Sequence, residues 1–176
     1  MKDYLPQRRV EQMSYQEKRT LVNILSGVPV FIAYGIYVFV RIRSGSAEPN
    51  DLRFWGITML TFIGIGVASG IILQILFHIG LSISIAIKTG DGKEREVERD
   101  IEATIVEDEM DKLIELKSLK LGFSITGTGF VIALIYLAFS GSAAGMLNIM
   151  FFSFGIGSIS EGFLSLRYYR KGLKNG

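Results

Sequence analysis

Three stretches of this chain contain no Asp, Glu, Lys or Arg: residues 20–40, 54–87 and 121–160, of 21, 34 and 40 positions. They make up 95 of the 176 residues, and the charges crowd into the gaps between them. A helix on the surface of a soluble domain alternates apolar and polar faces, so it cannot stay free of charge for so long. Uninterrupted apolar runs instead match a hydrocarbon layer ~30 Å thick, which a helix crosses in ~20 residues at about 1.5 Å each. The chain reads as an integral membrane protein and its fold class as all-α.

Residues 20–40 make one span. The 40-residue run suits two, because its turn-like cluster, Ser140-Gly141-Ser142-Ala143-Ala144-Gly145, lies near its centre. Residues 54–87 are ambiguous. As one helix they extend about 51 Å, long for a perpendicular crossing. Split at Ala68-Ser69-Gly70, they give halves of 16 and 18 residues, each short for a span. The positive-inside rule decides. With four spans, 16 of the 19 Lys and Arg fall on one side and only Arg41, Arg43 and Arg53 on the other. Splitting the second run removes that asymmetry. The expectation is a four-helix transmembrane bundle forming one membrane domain over residues 1–176. Its spans are at about 20–40, 54–80, 121–139 and 145–166, and both termini are cytoplasmic. The excess length of the second span goes into tilt or an inner extension.

The 19 residues before the first span include acids and precede an apolar stretch longer than a signal h-region, so no cleavable signal is expected. Cysteine is absent, which excludes disulfides, thiol catalysis and thiolate metal sites. The net charge of +2 gives no reason to expect nucleic acid, because the basic residues sit where topology needs them. Neither a cofactor nor a metal is expected.

Within the spans, Gly66-x-x-x-Gly70, Ser124-x-x-x-Thr128 and Ser158-x-x-x-Gly162 place small residues on one helix face and allow close backbone approach. Gly66, Gly70, Ser158 and Gly162 are therefore expected at helix-packing seams, inside the bundle or in a homo-oligomer. Pro29 is expected to kink the first span. Asn23, Gln74 and Asn148 read as interhelical amides, and Phe54-Trp55 and Tyr168-Tyr169 as interfacial aromatics.

The connection at 88–120 holds 11 of the 17 acidic residues. Gly90-Asp91-Gly92 reads as a turn. Beyond it, Val97, Ile101 and Ile105 form a thin apolar stripe at helical spacing. From about Glu109 the helix is expected to run unbroken into the third span.

The segment Asp108-Glu109-Met110-Asp111-Lys112-Leu113-Ile114-Glu115-Leu116-Lys117-Ser118-Leu119-Lys120, leading into an apolar span, resembles a family of small bacterial and archaeal membrane proteins that form a domain of unknown function. These carry a D-E-x-D-K/R-x-I-E-x-K/R-S/A-x-K/R segment before their third span and end in an aromatic-basic tail, as in Tyr168-Tyr169-Arg170-Lys171 here. Met110 stands where the family often has Arg. The resemblance implies four helices and a prokaryotic cell membrane, with helix-turn-helix regulators as neighbours. It brings no activity and no catalytic residue.

Few residues can carry chemistry. Glu161 interrupts the fourth span six positions before Arg167, roughly 9 Å of helix from its charged end. An unpaired carboxylate there costs ~2.5 kcal/mol or more, so it is a candidate for proton or cation coupling unless Lys120 or His78 pairs with it. His78, the single histidine, falls near the same boundary and could titrate with it. Glu107, Asp108, Glu109 and Asp111 form an acidic helix start that could dock a basic partner protein. They lack the glycine of a calcium loop. Gly64-x-Gly66 and Gly155-x-Gly157 lie inside spans and are not phosphate loops. No catalytic residue is expected, and the chain does not read as an enzyme. The first functional expectation is a non-enzymatic interaction or regulatory protein docking a cytoplasmic or membrane partner through the acidic connection. The alternative is a small proton- or cation-coupled transporter using Glu161.

Overall fold

A computed structural model describes residues 15–45, 51–89 and 109–172. They form four helices and no strand: α1 (Tyr15–Arg43), α2 (Leu52–Thr89), α3 (Glu109–Ser140) and α4 (Ala143–Lys171). Each is long and apolar enough to cross a membrane. Outward-facing side chains agree with lipid as the surrounding medium. Phe123 and Phe139 on α3 are 77% and 89% exposed, which water would penalise and hydrocarbon does not. The chain is a multi-pass helical membrane protein.

The helix boundaries follow local chemistry. Asp51 starts α2, its Oδ1 accepting a hydrogen bond from the Phe54 amide at 2.9 Å. α2 then passes through Ala68-Ser69-Gly70 without a break, so the ambiguous run is one helix of 38 residues. α3 starts at Glu109, with Glu109 and Asp111 in its first turn, where carboxylates suit the positive end of the helix dipole. Between α3 and α4 the chain reverses at Gly141, whose φ of 68° favours glycine. Ser142 caps α4 by accepting from the Gly145 amide at 3.1 Å.

α1 packs against α2 and α4, and α3 packs against α4, while α2 and α4 touch sparsely. The tightest seam joins α3 to α4. Ile114, Ser118, Gly122, Gly129 and Ala133 form the buried stripe of α3. A Cβ added at Gly122 would lie 3.0 Å from the Gly157 carbonyl oxygen, and one added at Gly157 would lie 2.7 Å from the Gly122 carbonyl oxygen. At Gly129 an added Cβ would collide with Ser153. Small residues here set how closely the backbones approach.

The glycines of two four-residue patterns, Gly66, Gly70 and Gly162, face α1. Added Cβ atoms at Gly66 and Gly70 would meet Val30 and Ser26 at 3.8 and 4.0 Å, and one at Gly162 would press on Ile24 at 2.7 Å. Ser124 and Thr128 are exposed and donate to carbonyls of their own helix. The amides act between helices: Gln74 Nε2 donates to Asn23 Oδ1 at 3.2 Å, and Tyr34 donates to Asn148 Oδ1 at 2.8 Å.

Tyr34 is fully buried and centres an aromatic core with Phe62, Phe151 and Phe152. Val38, Met59, Ala144 and Trp55 complete it. Trp55 departs from the interfacial expectation: it is 3% exposed and packs inside this core. Phe54 remains nearer the surface beneath the Arg41 guanidinium, 5.7 Å from its ring centre. At the other end of the bundle, Arg170 Nε donates to Glu17 Oε1 at 2.8 Å, bringing the start of α1 beside the end of α4.

Gly157→Ala should destabilise the purified protein by about 1–3 kcal/mol in denaturant titration, because the Gly122 backbone as well as the Thr126 side chain opposes the new methyl group. Gly64→Ala, with nothing within 4 Å of its Cβ position, should stay within about 0.5 kcal/mol of the parent.

Candidate functional site

The helix ends joined by Glu17 and Arg170 enclose a polar cavity of about 230 Å³. Three helices line it with residues that recur at helical spacing. α1 contributes Gln16, Arg19, Thr20, Asn23 and Gly27. From α3 come Asp111, Glu115 and Ser118, and from α4 Ser158, Glu161, Gly162, Ser165 and Tyr169. Offsets of three, four and seven residues put each set on one face of its helix. The cavity exists because α1 and α3 flank α4 on different sides, and the positions that would fill the gap carry glycine or serine.

Glu161 follows Gly157 by one turn and lies against α3 at Gly122. A Cβ added at Gly122 would sit 3.0 Å from Glu161 Oε2 and 3.1 Å from its Cβ, so the missing side chain makes room for the carboxylate. Among the described residues, Glu161 has no hydrogen bond and no ion pair within 4 Å, and the same holds for Glu115. Among the described residues, Asp111, Glu115 and Glu161 share the cavity with a single guanidinium, that of Arg19. The three carboxylates do not close into a metal group: among the described residues no three acids or histidines are placed to hold an ion.

Two further polar groups are buried there without partners. The Ser118 hydroxyl has no hydrogen bond, and its residue is 1% exposed. Gln16 Nε2 is likewise unpartnered in a residue 8% exposed. Thr20 instead satisfies its hydroxyl on the Gln16 carbonyl at 2.8 Å. Buried polar groups without partners are uncommon, and in a cavity they mark places where water or a ligand can bond.

The structure separates the other residues that the sequence singled out. His78 does not meet Glu161. Its Nε2 is 3.4 Å from the Tyr15 hydroxyl, and its ring packs with Tyr15 and Phe77. Lys120 forms no ion pair with Glu161 either. Glu107 and Asp108 lie outside the described residues. Glu109 is exposed at the start of α3, while Asp111 lines the cavity. Ser158 and Gly162 also line it, so one of the small-residue pairs serves both packing and cavity.

Sequence reasoning missed Gln16, Glu115 and Ser118 as members of one site. Asp111-x-x-x-Glu115-x-x-Ser118 is a polar stripe at helical spacing, and that signal was available. The chain matches no protein-family model, no curated protein and no solved structure, so the site is interpreted from its own geometry.

The absence of cysteine makes the cavity directly testable. Ser158→Cys should react with a water-soluble methanethiosulfonate reagent at least tenfold faster than Ile156→Cys, two positions away on an outward-facing stretch. Equal rates in sealed vesicles would mean that water does not reach the cavity.

Proposed function

We propose that this protein is a small, non-enzymatic proton- or cation-coupled transporter with Glu161 as its coupling site. One observation carries the reading: a carboxylate within a membrane-spanning helix lines a polar cavity and has no ion-pair partner among the described residues. Leaving a charge there unpaired costs several kcal/mol unless water, a proton or a cation attends it. A carboxylate can exchange a proton for a cation at one place, and Glu115 in the same cavity supplies a second acidic group. Asp111, turned into the cavity, supports this reading better than an outward docking face.

The distribution of basic residues supports a cytoplasmic opening for the cavity, because the connections at its end hold 16 of the 19 Lys and Arg. The expected location is a prokaryotic cell membrane, which rests on the resemblance carried by the segment from Asp108 to Lys120.

In proteoliposomes loaded with a pH-sensitive dye, an imposed cation gradient should drive proton movement, and Glu161→Gln should reduce it at least tenfold. Gly122→Ala should impair it while keeping the carboxylate, because the added methyl group crowds both Glu161 and the Gly157 carbonyl. Undiminished proton movement in Glu161→Gln would remove Glu161 from the mechanism.

A further inference from the structure

The polar cavity does not end blindly. It shares Gly27, Ser158 and Ile159 with an apolar groove of about 550 Å³ that runs between α1, α2 and α4. Val30 and Phe31 on α1, Ile63 and Val67 on α2 and Phe154 on α4 give that groove its walls. No charged residue lines it among the described residues. The groove exists because α2 and α4 touch sparsely, and the exposed side chains of Val67 and Phe154 leave it open to the bilayer. At the junction, Gly27 has nothing within 4 Å of its Cβ position, so the two spaces run together.

We infer that the joined spaces bind an amphipathic organic cation. Its protonated amine sits in the polar cavity against Glu161 and Glu115, and its apolar body lies in the groove. This rests on Glu161 being the cation site and adds the class of substrate. Charge complementarity favours this occupant over an uncharged lipid chain, since the Glu161 and Glu115 carboxylates line the polar end without an ion-pair partner among the described residues. The buried Ser118 hydroxyl, unpartnered and part of the cavity lining, can accept a hydrogen bond from an ammonium N–H. A bare metal ion would use the polar end alone, and no three-ligand group is formed there by the described residues. A proton and the amine compete for Glu161. Among the described residues, the other ionisable groups facing that space are Asp111 and Glu115 on α3, Arg19 on α1 and Tyr169 on α4, and α2 adds none.

The test is equilibrium binding of radiolabelled 4-phenylbutylamine, protonated at pH 7.5, to the protein in nanodiscs, corrected for empty discs. Saturable binding is expected, weakened at least tenfold in Glu161→Gln and at least tenfold in Gly27→Leu, whose side chain divides the two spaces. Neither methylammonium nor neutral 4-phenylbutanol should displace the probe at equal concentration. Size-exclusion elution confirms folding, and Glu115→Gln replaces Glu161→Gln should the latter aggregate. Displacement by 4-phenylbutanol would identify the groove as a lipid-chain crevice, and displacement by methylammonium would show that the groove plays no part. Absence of binding together with cross-linking of Val67→Cys between copies would assign the groove to a second copy of the chain. Each of those outcomes overturns the inference. Proton movement that depends on Glu161 without amine binding overturns this inference alone. Amine binding with proton movement indifferent to Glu161 overturns the transport reading instead.

Discussion

The contact of Gly122 with Gly157 is the constraint on which the site depends. Hydrocarbon surrounds these helices, so burying a leucine between them gains little over leaving it in lipid. Association must come from close approach, and close approach requires positions without side chains. At this crossing each glycine faces the carbonyl oxygen of the other. Glu161 lies one turn beyond Gly157 and occupies the space that Gly122 leaves open. The residue type that holds α3 to α4 therefore also sets where the carboxylate goes. A larger residue at either glycine would move the helices apart and move Glu161 with them.

The two ends of the bundle have different construction. At one end Tyr34, Trp55, Phe151 and Phe152 interlock α1, α2 and α4, with the Tyr34 hydroxyl satisfied on Asn148. Aromatic rings in tilted and edge contact fix helix spacing there, because large rigid side chains have few alternative arrangements. At the other end small and polar residues leave a cavity, and the helices are tied by the Glu17–Arg170 ion pair and the hydrogen bond from Gln74 to Asn23. A firm end lets the opposite end hold open space without loss of the fold. It also explains why the groove begins where the aromatic core stops, near Phe151.

Much of this architecture was legible in the sequence. Runs without charge marked four membrane-spanning helices, and basic-residue asymmetry kept the second run whole, as its 38-residue helix shows. Ser140 to Gly145 announced a turn. The α3–α4 seam was harder to read, because attention to four-residue spacing passes over Gly122 and Gly129, which are seven apart and share a face equally well. Trp55 was misread for a related reason. A tryptophan near a span's end suits a headgroup, and only tertiary packing reveals that a buried Tyr34 needs a neighbour there. Glu161 stood out by its charge. Its surroundings did not, since Asp111, Glu115 and Ser118 lie in a polar stretch that reads as a solvated helix start. Which of those side chains turn inward depends on the crossing of α3 over α4, and no local pattern states it.

A carboxylate in a membrane protein can be merely structural, and this chain shows what that looks like. Glu17, its side chain 10% exposed, is matched at 2.8 Å by Arg170, whose own side chain stays 61% exposed and keeps much of its contact with the surroundings. Such an arrangement satisfies the acid while leaving most of the base solvated, and it ties two helix ends together. Glu161 lies only nine residues before Arg170 on the same helix, within a region supplied with Arg19, Lys120 and Arg167, yet none of them forms an ion pair with it. Long basic side chains reach several ångströms along a helix surface. Half-buried beside a second carboxylate and a buried unpartnered hydroxyl, Glu161 has no cation from the described chain. In the proposed function a proton or a cation from outside the chain takes the place that Arg170 holds beside Glu17.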